Sequence, residues 1–225
     1  MGGAVTLRAS PIAAAVVMEV PVGPLLAIAL GRLARQAQYA RPLAKGGHKA
    51  SAVHAWFDQA AACISDLAQP RAFIRPVDTR LEDDGVRIAE RVTLDDEVLA
   101  RDLAHGGSVS VYLLTLGYGQ NQAFKRLCGD YSAHHVQSDL ANEVLFALGR
   151  HVHAQMRADA IGARLRRVPI QAQGVCGARH VWDPARVQAL LSVFDGDETG
   201  VSVTDTGCFE PLNSLLGLTI RLPAA

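Results

Sequence analysis

The sequence predicts an α+β fold with an antiparallel or mixed sheet, and three features predict it. An Asp-Gly step at 84–85 separates two extended apolar runs, which is a hairpin signal. The run 109–116 gathers Val109, Val111, Tyr112, Leu113, Leu114 and Leu116 with only Ser110 and Thr115 polar, as in a strand covered on both faces. Val136, Leu140, Val144, Leu148, Val152 and Met156 recur every four residues, with Leu145 alongside, and mark an amphipathic helix of about six turns. Helices and strands alternate, but the hairpin and the short connections disfavour a regular parallel sheet.

Taken in order, residues 11–18 form an apolar run preceded by a single arginine, Arg8. A signal peptide is one reading. Glu19, Pro21 and Pro24 follow at once and the run is too short to span a bilayer, so a buried strand is expected. Residues 25–39 form a first helix, apolar at Leu26, Leu30 and Leu33. A linker is expected over 40–49, where Arg-Pro and Gly46-Gly47 break the pattern. A second helix over 51–67 opens on Ser51 as N-cap and gathers Val53, Trp56, Phe57, Ala60 and Ile64 on one side.

The hairpin strands are expected over 72–81 and 86–94, followed by a short helix at 95–104 whose acidic first turn suits the helix dipole. Gly106-Gly107 turns the chain into strand 109–116. After the long helix, a strand is expected at 166–172. Asp183-Pro184 reads as N-cap and first position of a helix carrying Val187, Leu190, Leu191 and Phe194. Strands at 200–204 and 215–222 close the chain.

At 225 residues, with 49% hydrophobic and 20% charged side chains, the chain suits one globular unit over 1–225, its core spanning about 16–222. The 22 basic residues balance the 22 acidic ones, and all the basic ones but Lys45, Lys49 and Lys125 are arginine. Zero net charge argues against a broad cationic surface for nucleic acid. Cys63, Cys128, Cys176 and Cys208 are widely spaced without a CxxC pair, so the reducing cytosol is expected rather than a disulfide framework.

Catalytic motifs are sparse. His134, His135, His151 and His153 cluster in sequence, but His151 and His153 point about 200° apart on a helix and cannot share a metal. Neither HExxH nor GxSxG occurs. Cys176, in the small-residue loop 173–178 and close to Arg179 and His180, is the one candidate nucleophile. Leu116-Gly-Tyr-Gly119 follows a strand as a ligand-facing loop would, with a tight strand exit as the plainer reading.

The segment Thr204-Asp-Thr-Gly-Cys-Phe-Glu-Pro-Leu-Asn-Ser-Leu-Leu-Gly217 resembles the closing motif of the activation domain of cobalamin-dependent methionine synthase, with Thr204, Asp205, Thr206, Pro211, Ser214 and Gly217 at matching places. Leu114-Thr-Leu-Gly117 is similar to that family's strand-ending Thr-x-Gly, the helix 139–158 to its central helix, and Met18-Glu-Val-Pro-Val22 to the start of its stand-alone members. The resemblance implies a bowed, mostly antiparallel sheet flanked by helices. It also implies a module that binds S-adenosylmethionine, docks on a corrinoid (cobalamin-carrying) protein or split methionine synthase subunit, and supports its reductive remethylation with a flavodoxin-type electron donor. Cobalamin would then be met only through that partner, in the cytoplasm, within methionine biosynthesis. Neither a membrane nor nucleic acid is implied as a partner. Homocysteine, folate and cobalamin domains have no room in this chain, so it is expected to be an accessory part of a methyltransferase system.

The implied S-adenosylmethionine loop is Gln173-Gly-Val-Cys-Gly-Ala178, so Gln173, Val175, Gly177 and Ala178 are candidate ligand-binding residues, with Gly117 and Tyr118 as neighbours. Asp205, Thr206 and Ser214 follow from the closing motif. The loop departs from the family pattern Arg-x-x-x-Gly-Tyr at two places. Gln173 cannot give the charged, bidentate grip of arginine on a carboxylate. Ala178 lacks the planar contact and hydroxyl of tyrosine. The alternative is therefore an interaction or small-ligand module that keeps the fold and has lost S-adenosylmethionine.

Overall fold

A computed structural model describes residues 14–160, 162–168 and 184–223, and the backbone of 175–176 and 179–180. The expected α+β architecture is present. Five antiparallel strands run in the order β1-β2-β6-β12-β7: β1 (Val16–Glu19), β2 (Arg71–Val77), β6 (Ser108–Thr115), β12 (Ser214–Leu222) and β7 (Arg164–Val168). A smaller sheet β3-β4-β5 (Thr79–Glu82, Gly85–Ile88, Val92–Leu94) and the ribbons β8-β9 (Val175–Cys176, Arg179–His180) and β10-β11 (Ser202–Val203, Phe209–Glu210) complete the strands.

Alternation along the central strands builds a core on each face. Ala72 and Ile74 of β2, with Tyr112 and Leu114 of β6, meet the helices α1 (Val22–Leu33), α3 (Gly47–Leu67) and α6 (Tyr131–Asp159). Phe73, Val111, Leu113, Leu218 and Ile220 point the other way, toward α4 (Glu97–Ala104), α7 (Pro184–Leu191) and the small sheet. Burial on both sides is why β6 is continuously apolar from Val111 to Leu114.

The long helix is longer than its apolar period. Asp130 caps it, accepting from the N–H groups of Ser132 and Ala133 at 2.9 and 3.0 Å, and so starts it five residues before Val136. Asp96 caps α4 in the same way, accepting from Leu99 at 2.9 Å.

Several expectations are corrected. The run 11–18 is not a buried strand where it is described: β1 is an edge strand, with Val16 57% and Val17 51% exposed. Residues 11–13 lie outside the described residues. The first helix ends at Leu33, and the expected linker is mostly helix α2 (Ala37–Lys45), which contains Pro42. Tertiary anchoring outweighs the proline there: the Tyr39 ring meets Phe57 edge-on at 5.3 Å, and its hydroxyl donates to Asp139 at 2.6 Å. Gly46, with φ +69°, breaks the chain and is the N-cap of α3, while Ser51 sits inside the helix and donates back to the Gly47 carbonyl. The two expected hairpin strands divide into β2 to β5. The hairpin falls where Asp83-Asp84 joins Glu82 to Gly85, but the chain breaks again at Asp78 and at Ala89-Glu90, where Ala89 and Glu90 each have positive φ. Helix α5 (Gln120–Arg126) was not expected at all. The strand expected at 166–172 begins earlier, at Arg164; residues 169–172 and Asp183 lie outside the described residues.

Candidate functional site

Two loops far apart in the chain meet at one end of the central sheet. The first leaves β6. Leu116 bridges its neighbours, donating to the Asn213 carbonyl at 3.0 Å and accepting from Gln69 N–H at 2.9 Å. Gly117 then turns with φ +77°, a conformation that suits glycine, and its N–H donates to Thr115 Oγ1 at 3.1 Å. Gln122 accepts from the Gly119 N–H at 2.9 Å and starts α5.

The second loop precedes β12. Thr204 organises it: its N–H donates to the Cys208 carbonyl, its carbonyl accepts from Gly207 N–H, and its Oγ1 accepts from Cys208 N–H at 3.1 Å and lies 2.9 Å from Thr206 Oγ1. This is hydrogen bonding of the kind that makes Thr and Asp turn residues. The Glu210-Pro211 peptide is cis. Ser214 then ties the loop to the sheet, donating to the Pro211 carbonyl at 2.8 Å and lying 3.0 Å from Thr115 Oγ1.

Between the loops lies an open groove of about 710 Å³. One wall runs from Gly117 to Gln122; Gly200, Ser202, Thr204 and the run from Phe209 to Leu212 form the other. Among the described lining residues Glu210 alone carries a charge. Asn213 is 2% exposed behind this wall; its Oδ1 accepts from Gln120 at 3.4 Å, and its Nδ2 has no partner among the described residues. The groove is thus a mostly uncharged surface of turn residues, with one acid among those described. It can receive hydrogen bonds and a cationic group, and among its described lining residues there is no arginine for a carboxylate.

The expected site residues divide. Gly117 lines the groove. Tyr118 turns inward: it is 2% exposed, accepts from Gln137 Nε2 at 2.7 Å, and burial raises its phenol pKa well above the usual range. Asp205 and Thr206 are exposed in the turn beside the groove, and Ser214 is buried behind Pro211. Gln173, Gly177 and Ala178 lie outside the described residues, as do the side chains of Val175 and Cys176, whose backbone forms β8. Sequence reasoning missed Glu210 and Asn213, because Glu-Pro reads as turn chemistry and the asparagine acquires its neighbours only on folding. Among the described residues no three His, Cys, Asp or Glu side chains gather as a metal would need. His134 faces the Phe124 ring at 5.2 Å, and His135 lies 3.9 Å from Asp139.

An antiparallel five-stranded sheet with a helical layer on one face, and a loop groove at its end, defines a class of fold. The solved MetH reactivation domain bound to AdoHcy has that fold: it superposes with a TM-score of 0.60 over 96% of this chain and 82% of its own, at 16% sequence identity. The chain therefore has a methionine synthase activation-domain-like fold. No family model matches the sequence, and no curated protein is detectably similar to it.

Proposed function

We propose that this protein is an activation-domain-like module that supports the reductive remethylation of a cobalamin-carrying methyltransferase partner in the cytoplasm. The observation that carries the reading is the likeness to the MetH reactivation domain over 96% of the chain, together with the groove that brings Gly117 and the 204–217 segment together. The fold and the ordered sequence motif are separate features of the chain, and both resemble the activation domain. In this reading the protein is a clamp and ligand site, a flavodoxin-type donor supplies the electron, and the corrinoid of the partner carries the chemistry. No helix among the described residues is long and apolar enough to cross a membrane.

S-adenosylmethionine is the ligand this reading assigns to the groove. Its sulfonium and ammonium charges suit Glu210 and the backbone carbonyls, and Gly117 lets the main chain approach closely. Its carboxylate finds no arginine among the described groove residues. Calorimetric titration with S-adenosylmethionine, and with a cobalamin-loaded partner domain, tests the reading. Saturable binding of both supports it; binding of neither removes it.

A second reading is favoured by Gln173 and Ala178. The protein then keeps the fold as an interaction or small-ligand module without S-adenosylmethionine. Binding of the partner domain by a protein that ignores S-adenosylmethionine, with ligand binding restored by Gln173→Arg/Ala178→Tyr, would select it.

A further inference from the structure

A second cavity, of about 280 Å³, opens on the helical face of the sheet and shares no lining residue with the groove. Three arginines line it from three elements: Arg32 from the last turn of α1, Arg150 from α6 and Arg167 from β7. His153 of α6 and Tyr112 of β6 complete the polar lining, and Phe146 and Leu215 contribute apolar wall. We propose that this cavity is a binding site for a small oxyanion, a phosphate or carboxylate group carried on a short apolar or planar body.

Charge is the first support. Among the described residues none of the three arginines forms an ion pair, although the same protein pairs Arg75, Arg80, Arg87, Arg126 and Arg166 with carboxylates. Glu143, the acid that bears on Arg150, has Oε1 engaged by the Gln36 amide at 3.1 Å. Arg150 Nη2 is buried with no hydrogen-bond partner among the described residues. A buried guanidinium N–H without an acceptor is costly, and an oxyanion is its natural partner.

Electrostatics agrees with the geometry. The Arg150 pKa is lowered by burial first and by the nearby Arg32 charge second. His153 is pushed down to about 4 by burial, then by Arg167 and Arg157, so it stands neutral at pH 7 inside a cationic surround. The charged and titratable groups bearing on His153 and Arg150 are Arg32 from α1, Glu143 and Arg157 from α6, Arg167 from β7, and the Tyr112 phenol from β6.

The cavity also has room built into it. Gly149 faces Leu114, and a Cβ at Gly149 would come within 3.3 Å of Leu114 Cδ1. Gly217, directly opposite Tyr112 across the β6–β12 pair, leaves the space that the Tyr112 ring occupies. The closing-motif glycine therefore shapes this cavity's wall, where a methyl group would collide with the ring. At about 280 Å³ the space suits a single head group and a small body, near the lower limit of ligand pockets.

The inference is independent of any corrinoid partner: it can hold where that reading fails, and the reverse. The test is titration of the purified full chain at pH 7 and low salt with inorganic phosphate and, separately, with benzoate, followed by calorimetry and by the His153 imidazole NMR signals. The proposal expects saturable binding of at least one probe, an upward shift of the His153 titration when it binds, and affinity lowered tenfold or more in Arg150→Gln. Tighter phosphate binding identifies a phosphate-bearing ligand, and tighter benzoate binding a planar carboxylate. Because Arg150→Gln could perturb folding, the exposed Arg167→Gln is the second variant; it should stay folded and weaken binding several-fold. Absence of saturable binding by either probe overturns the proposal, as does binding that neither variant changes.

Discussion

The groove at the end of the sheet and the arginine cavity on its helical face are built in opposite ways. Local turn chemistry shapes the groove's walls: Thr204 bonds to residues within four positions of itself, and Gly117 turns on its neighbour Thr115. Convergence makes the cavity: α1, α6, β6, β7 and β12 each contribute one to several side chains, from Arg32 to Leu215. A site of the first kind is thermodynamically shallow, since its turns can change without disturbing the core. A site of the second kind rests on core residues, here Tyr112, Leu114, Leu145 and His153, so changes at those positions should appear in global stability. Mutational and pH measurements can break or sharpen this contrast.

The largest effect is expected from acid. His153 is 5% exposed, edge-on to the Tyr112 ring at 5.0 Å, and its folded-state pKa is lowered to about 4 from 6.5. Between those values the unfolded chain binds the proton that the folded chain refuses. The stability contribution is therefore complete above about pH 6.5 and lost as pH falls toward 4, by roughly 3 kcal/mol at most. Urea unfolding at pH 7.5, 5.5 and 4.5 should show this slope, and His153→Phe should flatten it. An unchanged slope in the variant would detach the cavity from the core.

Next in size is Gly217→Ala. Its Cβ would overlap the Tyr112 ring, which is buried at 7% exposure and has little freedom to retreat. Overpacking of this kind costs about 1–3 kcal/mol. The loss should be read in the urea midpoint, together with a changed Tyr112 environment by near-UV circular dichroism. A variant as stable as the parent would show that the cavity wall yields.

Asp130→Ala tests a cap that serves both regions, because α6 carries Arg150 and His153 while its first turns lie near Tyr118. Loss of the two side-chain hydrogen bonds should lower stability by about 1 kcal/mol, measured by thermal unfolding. Asp130→Ser should recover most of it.

The same contrast explains what could be read before folding. The long helix, β6 and the Asp-Gly hairpin announce themselves by period and turn chemistry, which are local. Helix α5 is seven residues with only Ala123 buried, too short and too polar to show a period. Helix α2 holds against its own Pro42 through Tyr39 and Asp139, contacts about a hundred residues apart in the chain. The break at Ala89-Glu90 has no glycine to mark it. For the sites, Gly117 and the 204–217 segment could be picked out because the turn residues that build the groove are conspicuous in sequence. A tyrosine between two glycines looks presented to ligand in the sequence; in the fold the Tyr118 ring is buried in the core. The arginine cavity was invisible: Arg32, Arg150 and Arg167 have no spacing in common and meet only through the packing of α1 and α6 on the sheet.

The smallest effect is expected at Asp205. Its side chain is exposed in the 204–207 turn, and the hydrogen bonds that define the turn are made by Thr204, Thr206, Gly207 and Cys208 rather than by its carboxylate. Asp205→Asn keeps the shape and removes the charge, so stability should change by no more than about 0.5 kcal/mol. Glu210, by contrast, lines the groove as its only described charge. If the groove takes the cationic ligand assigned to it, Glu210→Gln should weaken S-adenosylmethionine binding several-fold while leaving the unfolding midpoint nearly unchanged, and Asp205→Asn should affect binding less. A loss of global stability in either variant would show that the groove is as deeply tied to the core as the arginine cavity, and the distinction between the two regions would fail.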